Sequence, residues 1–192
     1  MSAASVAHAD SASDLPATTL ALGATYVVQG ASGTREIAAT DFYKGFLESA
    51  LRPDEMLTEI RVPKMNGAGW SFQKFNRRAQ DWAIVGVAAW KNGKDSGVAL
   101  VNMGSTPILA TSVSAALASG ASINEAAELA AAEAEPQRDK GGGKRLQADE
   151  WRHESLGTVQ LFLEFAEAEV WEAESSAQKS ETFVLSDLPS CQ

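Results

Sequence analysis

Lys74, Arg77, Arg78 and Asp81 crowd three cations and one carboxylate into eight residues. Such a cluster either solvates a sheet edge or serves a site, and the residue types alone leave both readings open. Just upstream, Trp70, Phe72, Lys74 and Asn76 alternate with Ser71, Gln73 and Phe75. That alternation predicts a strand placing Lys74 on the same face as Trp70 and Phe72, with the charged cluster at its end. Other chemistries find less support. His8 and His153 lie far apart with no spaced Cys or carboxylate ligand set, so zinc is not expected. No GxSxG elbow is present, and Cys191 has no nucleophile context. Gly141-Gly142-Gly143-Lys144 lacks the leading glycine spacing of a phosphate loop and is followed by Arg145 rather than Ser or Thr, so it reads as a flexible linker.

The elements that must position the cluster are legible on either side of it. Residues 84–90 and 98–103 are apolar runs of strand length, and Lys91-Asn92-Gly93-Lys94 between them predicts a β-hairpin. Upstream, Ser13-Asp14-Leu15-Pro16 places a capping residue and an early proline ahead of Leu20 and Leu22, with Gly23 as a stop. Residues 26–29 and 34–37 flank Gly30-Ala31-Ser32-Gly33 and read as a second hairpin. Asp41 opens a short helical or turn segment containing Phe42, Phe46 and Leu47. Residues 56–62 alternate like a strand that Pro63 ends, and residues 65–69 read as a linker between lobes. Residues 112–119 and 123–134 are rich in Ala and Leu and read as helices separated by Gly120. The economical arrangement is α+β, with a three-stranded antiparallel sheet covered on one face by helices.

Composition narrows the classes further. A chain of 192 residues with 45% hydrophobic content, five tryptophans and seven phenylalanines can bury a real core. Its formal net charge of −9 disfavours nucleic acid, which requires concentrated Lys and Arg. A single cysteine, Cys191, forms no internal disulfide and holds no iron–sulfur cluster, which fits a cytoplasmic setting. No apolar run approaches the roughly 20 residues of a membrane span. Residues 1–10 carry neither a positively charged region nor an apolar block, so they do not read as a secretory signal.

Several ordered stretches match one family. Lys74-Phe75-Asn76-Arg77-Arg78, Asp81-Trp82-Ala83-Ile84-Val85, and Met103-Gly104 followed by Thr106-Pro107 resemble the C-terminal domain of the flavoprotein, or medium, subunit of molybdenum hydroxylases, the carbon monoxide and xanthine dehydrogenase group. Ala7-His8-Ala9-Asp10, Ser13-Asp14-Leu15-Pro16, Phe42-Tyr43-Lys44-Gly45-Phe46 and residues 53–60 are similar to the end of that subunit's flavin-binding region. The resemblance spans about residues 5–135 and implies three parts. Residues 1–66 would be the second part of the FAD-binding region, without its first lobe. Residues 67–135 would be the C-terminal domain, and residues 136–192 a divergent linker and acidic helix tail. In that tail, residues 158–174 set Val159, Phe162, Leu163, Phe165, Ala166, Val170 and Trp171 against five glutamates, a helical pattern.

What the resemblance implies about sites is specific. Ser5 and His8 match positions near the phosphate and ribityl portion of the flavin, and Asp14 matches a carboxylate that hydrogen-bonds the sugar-like chain. Leu57 matches a backbone contact under the isoalloxazine ring. Lys74 matches a lysine beside that ring, where a cation stabilises the reduced anionic flavin. The family's Gly-Gly pair ahead of the AHAD-like stretch is Ala3-Ala4 here, and glycine matters there because it lets backbone approach the pyrophosphate. By resemblance, then, the chain is an FAD-binding oxidoreductase subunit, not active alone. It would pass electrons from iron–sulfur clusters to FAD and an acceptor, beside a large molybdenum subunit and a small iron–sulfur subunit. The competing expectation is an assembly module without its own flavin, or a nonfunctional remnant of that subunit.

Overall fold

The computed structural model describes residues 2–76, 78, 81–134 and 182–184. Arg77, His153, Cys191, residues 141–144 and the helix expected over 158–174 lie outside these described residues. The chain opens with helices α1 (Ser2–His8) and α2 (Asp14–Ala21), followed by the hairpin β1 (Thr25–Gly30) and β2 (Gly33–Ala38). A one-turn helix α3 (Ala39–Phe42) leads into the small ribbon β3 (Tyr43–Gly45) and β4 (Glu48–Ser49), then the long strand β5 (Met56–Pro63). Strands β6 (Gly69–Phe75), β7 (Val85–Asn92), β8 (Asp95–Val101) and β9 (Ile108–Leu109) precede helices α4 (Thr111–Ala118) and α5 (Ile123–Glu133), and β10 (Thr182–Val184) comes last.

Two antiparallel sheets carry the architecture, one ordered β10-β5-β1-β2 and the other β6-β7-β8-β9. The second has a fourth strand where the sequence predicts three, because Ile108 and Leu109 return beside Leu100 and Ala99 after the Met103–Pro107 turn. Its helices also cover both faces rather than one. Val85, Val87, Ala89, Val98 and Leu100 point into a core shared with Val113 of α4 and Ala126, Ala127 and Ala130 of α5. The alternate residues Ala88, Ala99 and Val101 point the other way, into a core with Ala17, Leu20 and Ala21 of α2. Two buried faces explain why β7 reads as an unbroken apolar run rather than an alternating one. Each fully buried Val or Leu contributes about 1.5–3 kcal/mol.

The core on the α2 side is continuous with the first sheet, drawing Tyr26 and Val28 from β1, Ile37 from β2, Leu57 and Ile60 from β5, Val6 from α1 and Phe42 from α3. Small residues let α2 lie close. Gly97 of β8 faces the end of α2, where the Trp90 indole N–H donates to the Ala21 carbonyl at 2.7 Å. Gly23, at φ 65°, then ends the helix as the sequence predicts.

Two polar knots tie this half together. Thr19, Tyr26 and Tyr43 form a hydroxyl chain, 2.6 Å from Thr19 to Tyr26 and 2.7 Å from Tyr26 to Tyr43. Thr19 anchors it on the Leu15 carbonyl at 2.7 Å. Burial raises both tyrosine pKa values. The second knot is Glu55, which accepts from Arg35 through both oxygens at 2.8 and 2.7 Å and from the Arg52 backbone N–H at 2.8 Å. The Arg35 bonds hold its carboxyl down at about 2.

Some local expectations shift. Asp41 belongs to the one-turn helix α3, whereas Phe46 and Leu47 sit exposed at the tip of the β3–β4 ribbon, Leu47 with φ 56°. The stretch read as a linker over residues 65–69 already contains the first residue of β6.

Gly97→Ala would place its methyl 2.2 Å from the Ala21 carbonyl oxygen and 2.4 Å from the Trp90 indole nitrogen. Urea denaturation should show a loss of about 1–3 kcal/mol or more for this variant, and a loss of about 1–3 kcal/mol for Trp90→Phe, which removes the hydrogen bond and part of the indole's packing. Glu55 gives a pH signature. Its folded pKa is depressed from 4.5 to about 2, so its contribution is present above the unfolded pKa and is lost as pH falls toward the folded one. The gap in melting temperature between the native chain and Glu55→Gln should therefore be full at neutral pH and shrink between about pH 4.5 and 2.

Candidate functional site

Asp14 and Lys74, 60 residues apart in sequence, meet in one cleft. Asp14 opens α2, and Lys74 lies on β6 with its ammonium toward α2, on the face that also sends Phe72 into the core. The Lys74 Nζ donates to both Asp14 carboxylate oxygens, at 3.2 and 3.0 Å. The Lys74 side chain is 19% exposed and that of Asp14 48%, so the pair sits on the rim of solvent. The cleft measures about 310 Å³ and is lined also by Ser5, Ala12, Ser13, Leu15, Asp81 and Trp82.

One lip is the turn between α1 and α2. Val6 anchors α1 in the core while Ser5 faces the cleft. Ala9 reverses the chain at φ 57°, an uncommon conformation for alanine that the fully buried site maintains. The Asp10 carboxylate then accepts from the Ala12 N–H at 2.9 Å, and the Asp10 carbonyl from the Ser13 N–H at 3.1 Å. Such an Asx-type turn is what an aspartate before small residues favours. Ser13 occupies the N-cap position of α2 without making a side-chain cap bond, and instead lines the cleft. The opposite lip is the segment after β6. The Asp81 carboxylate accepts from the Trp82 N–H at 3.0 Å, and the Ile84 N–H returns to the Phe75 carbonyl at 2.9 Å. Trp82 stands 57% exposed at the mouth.

The expected site residues divide. Ser5, Asp14 and Lys74 line the cleft together. His8 ends α1 on the exposed surface, away from the lining. Leu57 is buried in the core, with its backbone paired to Val28 of β1. Arg78 is exposed outside the lining, so of the charged cluster only Lys74 and Asp81 reach the cleft among the described residues. Sequence reasoning did not single out Ser13 or Trp82 as lining residues. An aromatic directly after a carboxylate in the cluster was the available signal for Trp82. No group of His, Cys, Asp or Glu among the described residues is placed to hold a metal ion.

The functional groups at the cleft are a carboxylate pair, an ammonium, two hydroxyls and an indole. The set suits a polar ligand that carries hydroxyls and a group able to meet an ammonium. A volume of about 310 Å³ is near the lower end of ordinary ligand pockets, about 300–1,000 Å³, so it accommodates part of a dinucleotide rather than all of one.

Comparison with known proteins places both halves of the described chain in known families. Residues 3–65 match the family described as FAD binding domain in molybdopterin dehydrogenase, and residues 70–149 match the CO dehydrogenase flavoprotein C-terminal domain. The carbon monoxide dehydrogenase medium chain of Afipia carboxidovorans is 33% identical over 146 residues, 71% of this chain and 51% of the relative. The glyceraldehyde dehydrogenase medium chain of Sulfolobus acidocaldarius is 40% identical over 83 residues, 43% of this chain and 30% of the relative. Among solved structures, carbon monoxide dehydrogenase from Hydrogenophaga pseudoflava superposes with a TM-score of 0.77 at 33% identity, covering 85% of this chain and 59% of that one. Fold and the two matched regions thus place the chain among flavoprotein-subunit domains. The chain belongs to the FAD-binding medium-subunit family of the molybdenum hydroxylases. It spans about half the length of its relative from Afipia carboxidovorans and 30% of that from Sulfolobus acidocaldarius.

The Asp14–Lys74 pair is a rim pair, and such pairs contribute under about 1 kcal/mol. Asp14→Asn and Lys74→Met should each leave the chemical denaturation midpoint nearly unchanged, which makes both usable as probes of binding.

Proposed function

We propose that this chain is the FAD-binding subunit of a molybdenum hydroxylase-type oxidoreductase, passing electrons from iron–sulfur clusters through FAD to an acceptor. The observation that carries the proposal is the meeting of Asp14 and Lys74 in one cleft, because each comes from a different one of the two matched family regions. FAD supplies the one- and two-electron chemistry when bound, and the protein supplies position and charge. Asp14 is the acceptor for hydroxyls of the sugar-like chain. Lys74 would lie near the ring, where its charge would favour an anionic ring. Ser5 adds a hydroxyl from α1, and Trp82 shields one side of the cleft from water. His8 and Leu57 belong to the same assignment by position in the family pattern, His8 toward the phosphates and Leu57 through its backbone.

The division at residues 66 and 67 and the separate tail after 135 belong to this proposal, as do the partners, a large molybdenum subunit and a small iron–sulfur subunit. A cytoplasmic setting accompanies it. No helix among the described residues is long and apolar enough to cross a membrane.

Titration with FAD, followed by flavin fluorescence and absorbance, tests the reading. Saturable quenching is the expected result, with Asp14→Ala and Lys74→Ala each weakening affinity by about tenfold or more, the loss of one charge-assisted hydrogen bond. If the intact chain binds no FAD, alone or with its partner subunits, the flavoprotein reading fails and an assembly module remains.

A further inference from the structure

We propose that Asn102 is the positioning residue that sets the width of the cleft, because it is bonded to both of its lips: its backbone N–H donates to the Ser11 carbonyl at 2.7 Å, and its side-chain amide donates to the Ala83 and Ile84 carbonyls at 2.8 and 3.1 Å. Ser11 precedes Ala12, Ser13 and Asp14, which line one lip. Ala83 and Ile84 follow Asp81 and Trp82, which line the other. The inference rests on the cleft being the site proposed above, but its geometry stands apart from any cofactor.

Three features fit this role better than that of a passive turn residue. Asn102 directly follows β8 and adopts φ 56°. This left-handed conformation swings its amide out of strand register, and asparagine tolerates it better than most residues. Ala83 is buried, so its carbonyl needs a donor, and the Asn102 amide provides one. Ser11 is also fully buried, so the first lip is pinned from beneath, through its backbone, while its outer residues stay available to a ligand. Asn102 itself does not line the cleft. It acts through the lips, and β8 beneath it is fixed between two cores.

Substitution can separate the two arms. Asn102→Gly keeps the left-handed backbone and the N–H bond to Ser11 but removes the side-chain amide. Asn102→Asp keeps the shape and replaces the donor with a carboxylate facing two carbonyl oxygens. Hydrogen exchange on the full chain without cofactor is the first measurement. In both variants, amides of residues 82–84 should exchange about tenfold faster or more, while those in the β7 and β8 interior stay protected. The second measurement is FAD dissociation, expected to quicken by about tenfold in Asn102→Gly, because a displaced lip misplaces the groups that hold the ligand.

Unchanged exchange at residues 82–84 would overturn the proposal. So would loosening spread evenly through both sheets, which is the signature of a general stability role. These outcomes are distinguishable from failure of the flavin reading, since exchange is read without FAD. An intact chain that binds no FAD would remove the functional meaning of the cleft. An intact chain that binds FAD, with a Gly variant that releases it at the native rate, would remove only the role of Asn102.

Discussion

The contact on which the rest depends is the close seating of α2 on the inner face of β7 and β8. Gly97 and the Trp90–Ala21 hydrogen bond hold the end of the helix, and Ala88, Ala99 and Val101 leave room for Ala17 and Leu20. Because a helix is rigid over two turns, fixing its C-terminal end against one sheet fixes its first residue as well. That residue is Asp14, and the neighbouring strand β6 carries Lys74. The cleft is therefore a by-product of packing, built where a helix start and an outer strand of the same sheet come within reach. The cost is intolerance of side chains along the seam, where methyl-sized changes meet backbone rather than flexible neighbours.

The same seating joins the two family regions into one hydrophobic core. The first sheet cannot close its core without Ala88, Ala99 and Val101 from the second, nor can the second cover its inner face without α2. The outer face is closed separately by α4 and α5, and α5 starts with a full capping box in which the Ser122 and Glu125 side chains each bond the other's backbone. The site thus lies between an N-terminal region that supplies Ser5, Ser13 and Asp14 and a C-terminal region that supplies Lys74, Asp81 and Trp82. Neither region alone carries all of these side chains.

Much of this was legible in the sequence, and what was missed has a physical pattern. Period-two alternation placed Lys74 on the face of Phe72, and the Asn92-Gly93 pair located the hairpin, because both are local signals. The Gly23 stop was equally local. The second covered face was not expected, although the unbroken apolar run of β7 implied it, since the run does not reveal that the covering element, α2, lies far upstream in the sequence. Ile108 and Leu109 are too short a pair to register as a strand without Leu100 and Ala99 beside them. Asn102 was read as the interior of a strand running to Met103, whereas β8 ends at Val101. Its partners lie 18, 19 and 91 positions away, and no window of sequence contains them all. Leu57 shows the reverse: a family pattern assigned it a ligand contact, and burial explains its apolar side chain equally well.

The hydroxyl chain of Thr19, Tyr26 and Tyr43 gives the fold an alkaline limit. Thr19 donates into the α2 backbone, so it accepts from Tyr26, which in turn accepts from Tyr43, and the protons of the chain run one way. These are the only two tyrosines of the chain, and burial disfavours the phenolate of both. With folded pKa values above the unfolded value near 10, their contribution is complete below that pH and is lost as pH rises beyond it. Phenolate formation is therefore coupled to opening of the core beneath α2, and strong base attacks the fold where Asp14 is held.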